Sequence, residues 1–204
     1  NPKALIVAVG CSVQLNGEKI NKETSADIII GTKHKGSIGR LIKEKLKHME
    51  MHTKSIEKFQ GKEDFEELKI SAVHDRTRAN IKIQDGCSQF CSYCIIPYVR
   101  GPIRSRNHNE ILEEIKNVAV NGYKEVVLNG IHISSYGKDI HCKDALIRLI
   151  EDIDKIDGLE RIRLGSLEPK LITEDFISRY SKLNKTCDHF HLSLQSGSDS
   201  VLKR

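Results

Sequence analysis

Strand-like and helix-like segments alternate through the second half of the chain, and this alternation limits the fold more than any other feature. Four short segments have the apolar or alternating pattern of a strand: 81–83, 125–129, 161–164 and 189–194. Three segments between them place apolar side chains at helical spacing: 109–121, 144–157 and 173–183. Repeated strand–helix units predict an α/β fold with a parallel sheet, either a barrel or an open sheet.

The amino-terminal part has a weaker version of the same pattern. Apolar runs at 5–9 and 26–30 predict two buried strands, and 15–23 and 36–47 predict helices, the second with Ser37 as a cap. The strands and helices again alternate, so we expect a second, smaller α/β element here.

The chain divides by composition near residue 70. Residues 48–69 are polar without a clear period, and we interpret them as a connector with room for one strand. We therefore expect one domain at 1–70 and another at 71–204. The first residue is not a methionine, and the last helix begins near Ser198 and is cut at the chain end, which suggests a fragment with a partial barrel of four βα units.

Composition excludes several classes of protein. No apolar run approaches the roughly 20 residues of a membrane span, and no signal peptide is recognisable. The six cysteines favour metal or redox chemistry over a disulfide framework, and we expect a cytoplasmic protein without a membrane partner. A net charge of +5 permits an anionic partner such as RNA.

Three cysteines lie within eight residues, in the predicted first βα loop at 85–107. The spacing is Cys87-x3-Cys91-x2-Cys94. Loops at this end of parallel strands carry the chemistry of α/β barrels, and thiolates suit zinc or iron–sulfur clusters. Three thiolates could hold three corners of a 4Fe–4S cubane and leave one iron open. The alternatives are a zinc site completed by a distant His or Cys, and buried structural thiols.

The string QDGCSQFCSYCIIPYVRGPIRSR resembles the methylthiotransferase branch of the radical S-adenosylmethionine (SAM) enzymes. LNGIHISSYG, RIRLGSLEP and HLSLQSGSD follow in the same order as in that family. The resemblance implies a radical SAM barrel in which the three cysteines hold a 4Fe–4S cluster. The open iron would chelate the amino and carboxylate groups of SAM, and electron transfer would yield a 5′-deoxyadenosyl radical. Tyr93 would lie against the cofactor, although a simple packing role is an alternative.

The remaining cysteines differ in what the resemblance implies. Cys11, in GCSVQ, resembles the third cysteine motif of the family's amino-terminal methylthiotransferase domain, and the resemblance makes residues 1–70 the tail of that small α/β domain plus a connector. The three thiols of that domain hold an auxiliary 4Fe–4S cluster, and the other two would lie outside this chain. The full protein would then hold two clusters, of which one is fully encoded here. Without the resemblance, Cys11 is an ordinary buried residue. Cys142 and Cys187 match no cysteine of the family, and we expect both to be incidental.

Several other side chains are candidates for cofactor or substrate binding. Predicted strand ends, where barrel cofactors bind, carry Gly130, Ser166, Glu168 and Gln195, and the resemblance points to SAM contacts at the same positions. For each, a packing role is the alternative. The three clustered cysteines are followed in the sequence by Arg100, Arg104 and Arg106, which could guide an RNA backbone or pair with local carboxylates. Arg104 could instead bind SAM. Three histidines at strands or strand ends have no clear ligand spacing: His132, His189 and His191.

The resemblance implies a tRNA-modifying enzyme that inserts sulfur and methyl at a C–H carbon. GIHISSYG most resembles the branch that methylthiolates N6-threonylcarbamoyladenosine beside the anticodon. Alternatives are isopentenyladenosine in tRNA and an aspartate of a ribosomal protein. Partners would be the anticodon stem-loop and an electron donor such as a flavodoxin or ferredoxin. A zinc-containing RNA-binding module without catalysis is the alternative from another class of protein. We expect weak methylthiolation, or none, from these 204 residues alone.

Overall fold

The computed structural model describes residues 4–48, 53–61, 63–68 and 77–204. The chain divides into two compact units. The first unit comprises Asn1–Leu68 and Gly86–Pro102, and the second comprises Lys69–Asp85 and Ile103–Arg204. The segment that carries the three clustered cysteines therefore packs with the amino-terminal part, although it is inserted in the sequence of the second unit. The boundary of the functional domains at 70/71 stays a prediction.

A parallel three-stranded sheet forms the centre of the first unit. Its order is β1 (Val7–Val9), β2 (Ile28–Ile30) and β3 (Thr53–Ser55). The two predicted strands are confirmed, and β3 lies within the predicted connector. The side chains of β2 alternate between two small apolar clusters, one on each face of the sheet. Ile29 packs with Val13 and Ala26, whereas Ile28 and Ile30 pack with Leu41.

The helices of the first unit begin differently from the prediction. Helix α1 (Cys11–Glu23) starts four residues early and leaves helical geometry at Asn16, so the predicted helix is its second part. Helix α2 (Ile38–Lys47) follows a 3-10 turn at Lys35–Ser37. Ser37 lies at the cap position, but its hydroxyl donates to the carbonyl of His34 (2.7 Å) and caps no helix amide.

The second unit is built on a larger, mainly parallel sheet. Its order is β5 (Arg104–Ser105), β4 (Arg78–Asp85), β6 (Glu125–Gly130) and β7 (Arg161–Leu164), with β5 antiparallel at the edge. A small parallel pair follows, β8 (Ser166–Leu167) and β9 (His191–Leu192). These strands confirm the predicted α/β class with parallel βα units. The predicted last strand is shorter than expected.

Helices follow the strands of the second unit as the periodicity predicts. They are α4 (His108–Val120), α5 (Ala145–Asp154), α6 (Glu174–Tyr180) and α7 (Asp199–Leu202). Asn107 caps α4 by accepting from two helix amides, and Thr173 caps α6 by accepting from the amide of Phe176. A further short helix, α3 (Ile96–Arg100), lies in the cysteine segment, where the sequence predicted only loop.

One continuous apolar core holds the second unit together. Ile81 and Leu128 on the sheet, Ile115 on α4 and Ile150 on α5 are fully buried in the same cluster. The strands are buried on this face because the helices cover it, as in other parallel sheets. Within the described residues, no helix combines the length and apolar character needed to cross a bilayer.

Candidate functional site

The cysteine segment is anchored at its two ends by backbone contacts. Gly86 follows β4 directly and has a φ of +72°. A Cβ at this position would lie 1.8 Å from the carbonyl oxygen of Pro102, so only glycine fits. The amide of Cys87 donates to the carbonyl of Gly101 (3.0 Å). The two ends of the segment therefore contact each other and close it into a loop, which we call the cysteine loop (Gly86–Pro102).

The three thiols of the cysteine loop are not joined in disulfides, and they are accessible to different degrees. Cys91 is exposed, whereas Cys87 and Cys94 are half-buried. A turn joins two of them, because the amide of Cys94 donates to the carbonyl of Cys91 (2.9 Å). Within the described residues, no three His, Cys, Asp or Glu side chains are grouped to hold a single metal ion. The thiolates of an iron–sulfur cluster bind separate iron atoms, so the donor set of this loop fits a cluster.

Exposed aromatic side chains lie in the same loop as these thiols. Tyr93, between the second and third cysteines, is 73% exposed. Phe90 adopts a left-handed backbone conformation (φ 49°) and packs edge-on against Tyr98, with 5.6 Å between ring centroids. Phe90 and Tyr98 also line a groove of about 620 Å³ in the first unit, together with Leu15 and Phe59. The aromatic surface of the loop is thus open to a planar ligand.

The fourth candidate thiol lies in the same unit as the cysteine loop. Cys11, the first residue of α1, accepts a hydrogen bond at its sulfur from Nε of Arg100 (3.1 Å). One residue before, the carbonyl of Val99 accepts from the hydroxyl of Thr32 (2.6 Å), which is buried. The end of α3 is therefore held against α1 and the end of β2, and the unit contains all four predicted cluster ligands.

Of the three arginines predicted to meet RNA, two are buried in the second unit. Arg104 is 7% exposed and lies 3.6 Å from Asp85, its partner across the β4–β5 pair. Arg106 is 2% exposed and pairs with Glu114. Burial and pairing favour the alternative in which both side chains bind local carboxylates and not RNA. Arg100 is only partly buried, and its contact with Cys11 gives it a different environment.

The predicted cofactor residues of the second unit lie where parallel strands end. Gly130 is the last residue of β6, and Ser166 lies on β8 with its hydroxyl 3.2 Å from Nδ1 of His191. Glu168 follows β8, and Gln195 lies past β9 with a positive φ of 67°. All are exposed or half-buried. The structure thus places these four residues on strand ends, and their SAM contacts stay a prediction.

His132, which the sequence left as an ordinary strand-end histidine, contacts one of these residues. Its Nε2 lies 3.3 Å from Oε2 of Glu168, and its Nδ1 contacts the hydroxyl of Ser135. Its amide donates to Oε1 of Gln84, a fully buried side chain on β4 (2.7 Å). The only signal in the sequence was its place two residues after a strand. The pairing with Glu168 needed the tertiary structure.

The two cysteines expected to be incidental lie apart from the cysteine loop, in the second unit. Cys142 is half-buried, with its sulfur 3.8 Å from the carbonyl of Lys143. Cys187 exchanges backbone hydrogen bonds, accepting from the hydroxyl of Tyr180 (3.2 Å) and donating to Ile162 (3.0 Å). Both have local structural contacts.

Two of the solved structures that are similar to this chain are radical SAM chains of limited likeness. Both are the radical S-adenosylmethionine methyltransferase TsrM from Kitasatospora setae. One, with cobalamin and a [4Fe-4S] cluster bound, has a TM-score of 0.46 and is 17% identical, over 57% of this chain and 22% of that chain. The other, with tryptophan and a SAM analogue, has a TM-score of 0.49 and is 16% identical, over 61% of this chain and 23% of that chain.

Curated relatives align with the whole chain. The threonylcarbamoyladenosine tRNA methylthiotransferase MtaB of Bacillus subtilis is 36% identical over 206 residues, and that of Aquifex aeolicus is 36% identical over 203. A tRNA-2-methylthio-N(6)-dimethylallyladenosine synthase of Clostridium botulinum (strain Loch Maree) is 41% identical over 209 residues. This chain covers 45%, 49% and 45% of these relatives, in that order, so it spans about half of their length.

A family model matches more than half of the chain. The model describes the radical SAM superfamily, and its match covers residues 81–204. The match begins on β4, includes the three thiols and continues through α7. It agrees with the α/β fold, which is therefore a partial radical SAM barrel. Together with the thiol donor set of the cysteine loop, this match shows that the chain belongs to the radical SAM superfamily.

Proposed function

We propose that the chain is the part of a tRNA methylthiotransferase that binds the radical-generating cofactors. Cys87, Cys91 and Cys94 would hold a 4Fe–4S cluster, with SAM bound at its open iron. Bound together, the cluster and SAM supply one-electron chemistry able to activate a C–H bond. The observation that carries the proposal is the closed cysteine loop, which presents three thiols outside any disulfide, at this spacing, within a matched radical SAM segment.

The side chains of this chain would bind and orient rather than react. Tyr93 would cover the cofactor with its exposed ring, and the strand-end residues Gly130, Ser166, Glu168 and Gln195 would contact SAM. Cys11 would contribute one ligand to an auxiliary cluster. This second cluster is the sulfur source in the proposal, and an electron donor of the flavodoxin or ferredoxin class would reduce the first.

The substrate would be an adenosine of the tRNA anticodon stem-loop. The finer choice is N6-threonylcarbamoyladenosine, supported by the GIHISSYG string and by the MtaB relatives. Relatives named for dimethylallyladenosine reach 41% identity, so isopentenyladenosine is the second candidate. Arg100 remains a candidate for RNA contact, whereas the burial of Arg104 and Arg106 speaks against contact at those positions.

The first test is anaerobic reconstitution with iron and sulfide, followed by metal analysis and a visible spectrum. We expect about four irons per chain and a brown protein, both lost in Cys91→Ala. Cys142→Ala is the matched control and should keep its iron, because its thiol lies outside the cysteine loop. One zinc per chain without a visible band would refute the proposal and support the RNA-binding module.

The second test measures reaction products. The reconstituted chain should cleave SAM to 5′-deoxyadenosine when reduced. Nucleoside mass spectrometry then compares tRNA that carries threonylcarbamoyladenosine with tRNA that carries isopentenyladenosine. We expect little methylthio product from either substrate, and more from the first than from the second. Efficient methylthiolation by these 204 residues alone would contradict the expectation that further segments are required.

A further inference from the structure

A hydrogen-bonded network lies at the ends of the parallel strands, and His132 is at its centre. The ring contacts two side chains at once, with Nε2 3.3 Å from Oε2 of Glu168 and Nδ1 on the hydroxyl of Ser135. The ring is half-buried, with only 15% of its side chain exposed. An imidazole held at both nitrogens has little rotational freedom.

The backbone of His132 is held as firmly as its ring. Gln84 is fully buried, and its amide NH2 donates to the carbonyl of Asp85 (2.7 Å), which turns its oxygen toward the amide of His132 (2.7 Å). A Cβ on Gly130 would lie 2.9 Å from the carbonyl oxygen of Gln84 and 3.0 Å from its side-chain oxygen. Glycine at the end of β6 therefore permits this arrangement.

The same short segment also holds the backbone of Glu168. A 3-10 turn at Ile133–Ser135 follows His132, and both of its serines are buried. The hydroxyl of Ser134 accepts from the amide of Glu168 (2.9 Å). Residues 132–135 thus fix Glu168 twice, once at its backbone through Ser134 and once at its carboxylate through His132.

The contacts define the protonation of the imidazole. Burial lowers the pKa of His132, and the attraction of Glu168 opposes that shift only in part. The ring is therefore neutral at physiological pH. A carboxylate oxygen only accepts, so Nε2 carries the proton and donates to Glu168, while Nδ1 accepts from the hydroxyl of Ser135.

We propose that His132 is a positioning residue that aims the Glu168 carboxylate at the donor groups of bound SAM. The inference rests on the proposed function, in which Glu168 contacts the cofactor. A glutamate side chain on a strand end has several rotamers, and ordering one of them on binding weakens affinity. The hydrogen bond from His132 selects one orientation before the ligand arrives.

Binding of SAM to the reconstituted chain tests this directly by calorimetry. We expect His132→Ala to weaken SAM binding about tenfold, with iron content and unfolding midpoint unchanged. His132→Gln should restore part of the loss, because an amide NH2 also donates to a carboxylate. Glu168→Ala should weaken binding at least as much, and the double variant should lose no more than Glu168→Ala alone. His189→Ala, at an exposed histidine of the same unit, is the matched control.

A readout independent of the cofactor comes from 15N NMR of histidine-labelled chain without iron. The His132 signals, assigned by their loss in His132→Ala, should show the Nε2-protonated tautomer and shift in Glu168→Gln. A Nδ1-protonated ring, or a ring unaffected by Glu168→Gln, would overturn the inference. The inference would also be overturned if His132→Ala bound SAM normally while Glu168→Ala bound it more weakly. If Glu168→Ala binds SAM normally, or if the parent chain binds none, the proposed role of Glu168 fails and the inference fails with it.

Discussion

The two units differ in their internal packing, and the thiols of the cysteine loop belong to the unit with the smaller apolar clusters. Among its described residues, the first unit has two apolar clusters of three buried residues each, and its cysteine loop is anchored by backbone contacts and glycines. The second unit has one continuous core and buried ion pairs. A bound cluster contributes folding free energy where the apolar core is small. The second unit should therefore fold without metal, whereas the first gains most from it.

The largest expected effect is on the buried ion pair of the second unit. Glu114→Ala leaves the guanidinium of Arg106 buried without its carboxylate, and we expect a loss of about 3–5 kcal/mol in the free energy of unfolding. Urea denaturation measures it. Arg40→Met, which breaks the exposed pair with Glu44 on α2 of the first unit, should cost about 0.5 kcal/mol or less. Equal losses of unfolding free energy in these two variants would contradict the expected difference between the units.

A smaller effect is expected at the entrance of the cysteine loop. Gly86→Ala places a Cβ against the carbonyl of Pro102 and forces a positive φ on alanine, which we expect to cost about 1–3 kcal/mol. The strain should also lower the iron retained after reconstitution. Gly61→Ala, with a φ of +111° and open space around it in the same unit, is the control and should retain its iron. Full iron retention by Gly86→Ala would show that the loop does not need this turn.

The smallest effect concerns acid stability of the second unit. Burial acts to raise the pKa of Glu125, but hydrogen bonds from Arg163 and Arg161 outweigh it and hold the pKa below its usual value. The stabilisation is present above the usual glutamate pKa and is lost as pH falls through the lowered value. The unfolding midpoint is measured as a function of pH, and Glu125→Gln should reduce its decline at acid pH. Glu160→Gln, at an exposed carboxylate, should leave that decline unchanged.

Local pattern was sufficient to predict four strands of the second unit (β4, β6, β7 and β9) and its helices, because their periodicity is set by one buried face. It did not predict β5 or β8, which are only two residues long. It predicted the thiol donor set too, since that set is contiguous in sequence. It did not predict α3, whose five residues are too few for a helical period.

The contacts of charged and polar side chains could not be predicted from the sequence. An arginine beside a cysteine loop can face RNA or a buried carboxylate, and only the fold brings Glu114 to Arg106. The pairing of His132 with Glu168 joins residues 36 positions apart on different strand ends, so no local pattern contains it.

Strand β9 has a consequence for the behaviour of the purified chain in solution. It pairs with β8 on one side only, and three large apolar side chains around it are exposed: Phe190, Leu192 and Leu194. An apolar edge strand with unpaired backbone groups is a template for intermolecular sheet growth. The apparent molar mass from light scattering should therefore rise with protein concentration, and Leu194→Lys should suppress that rise.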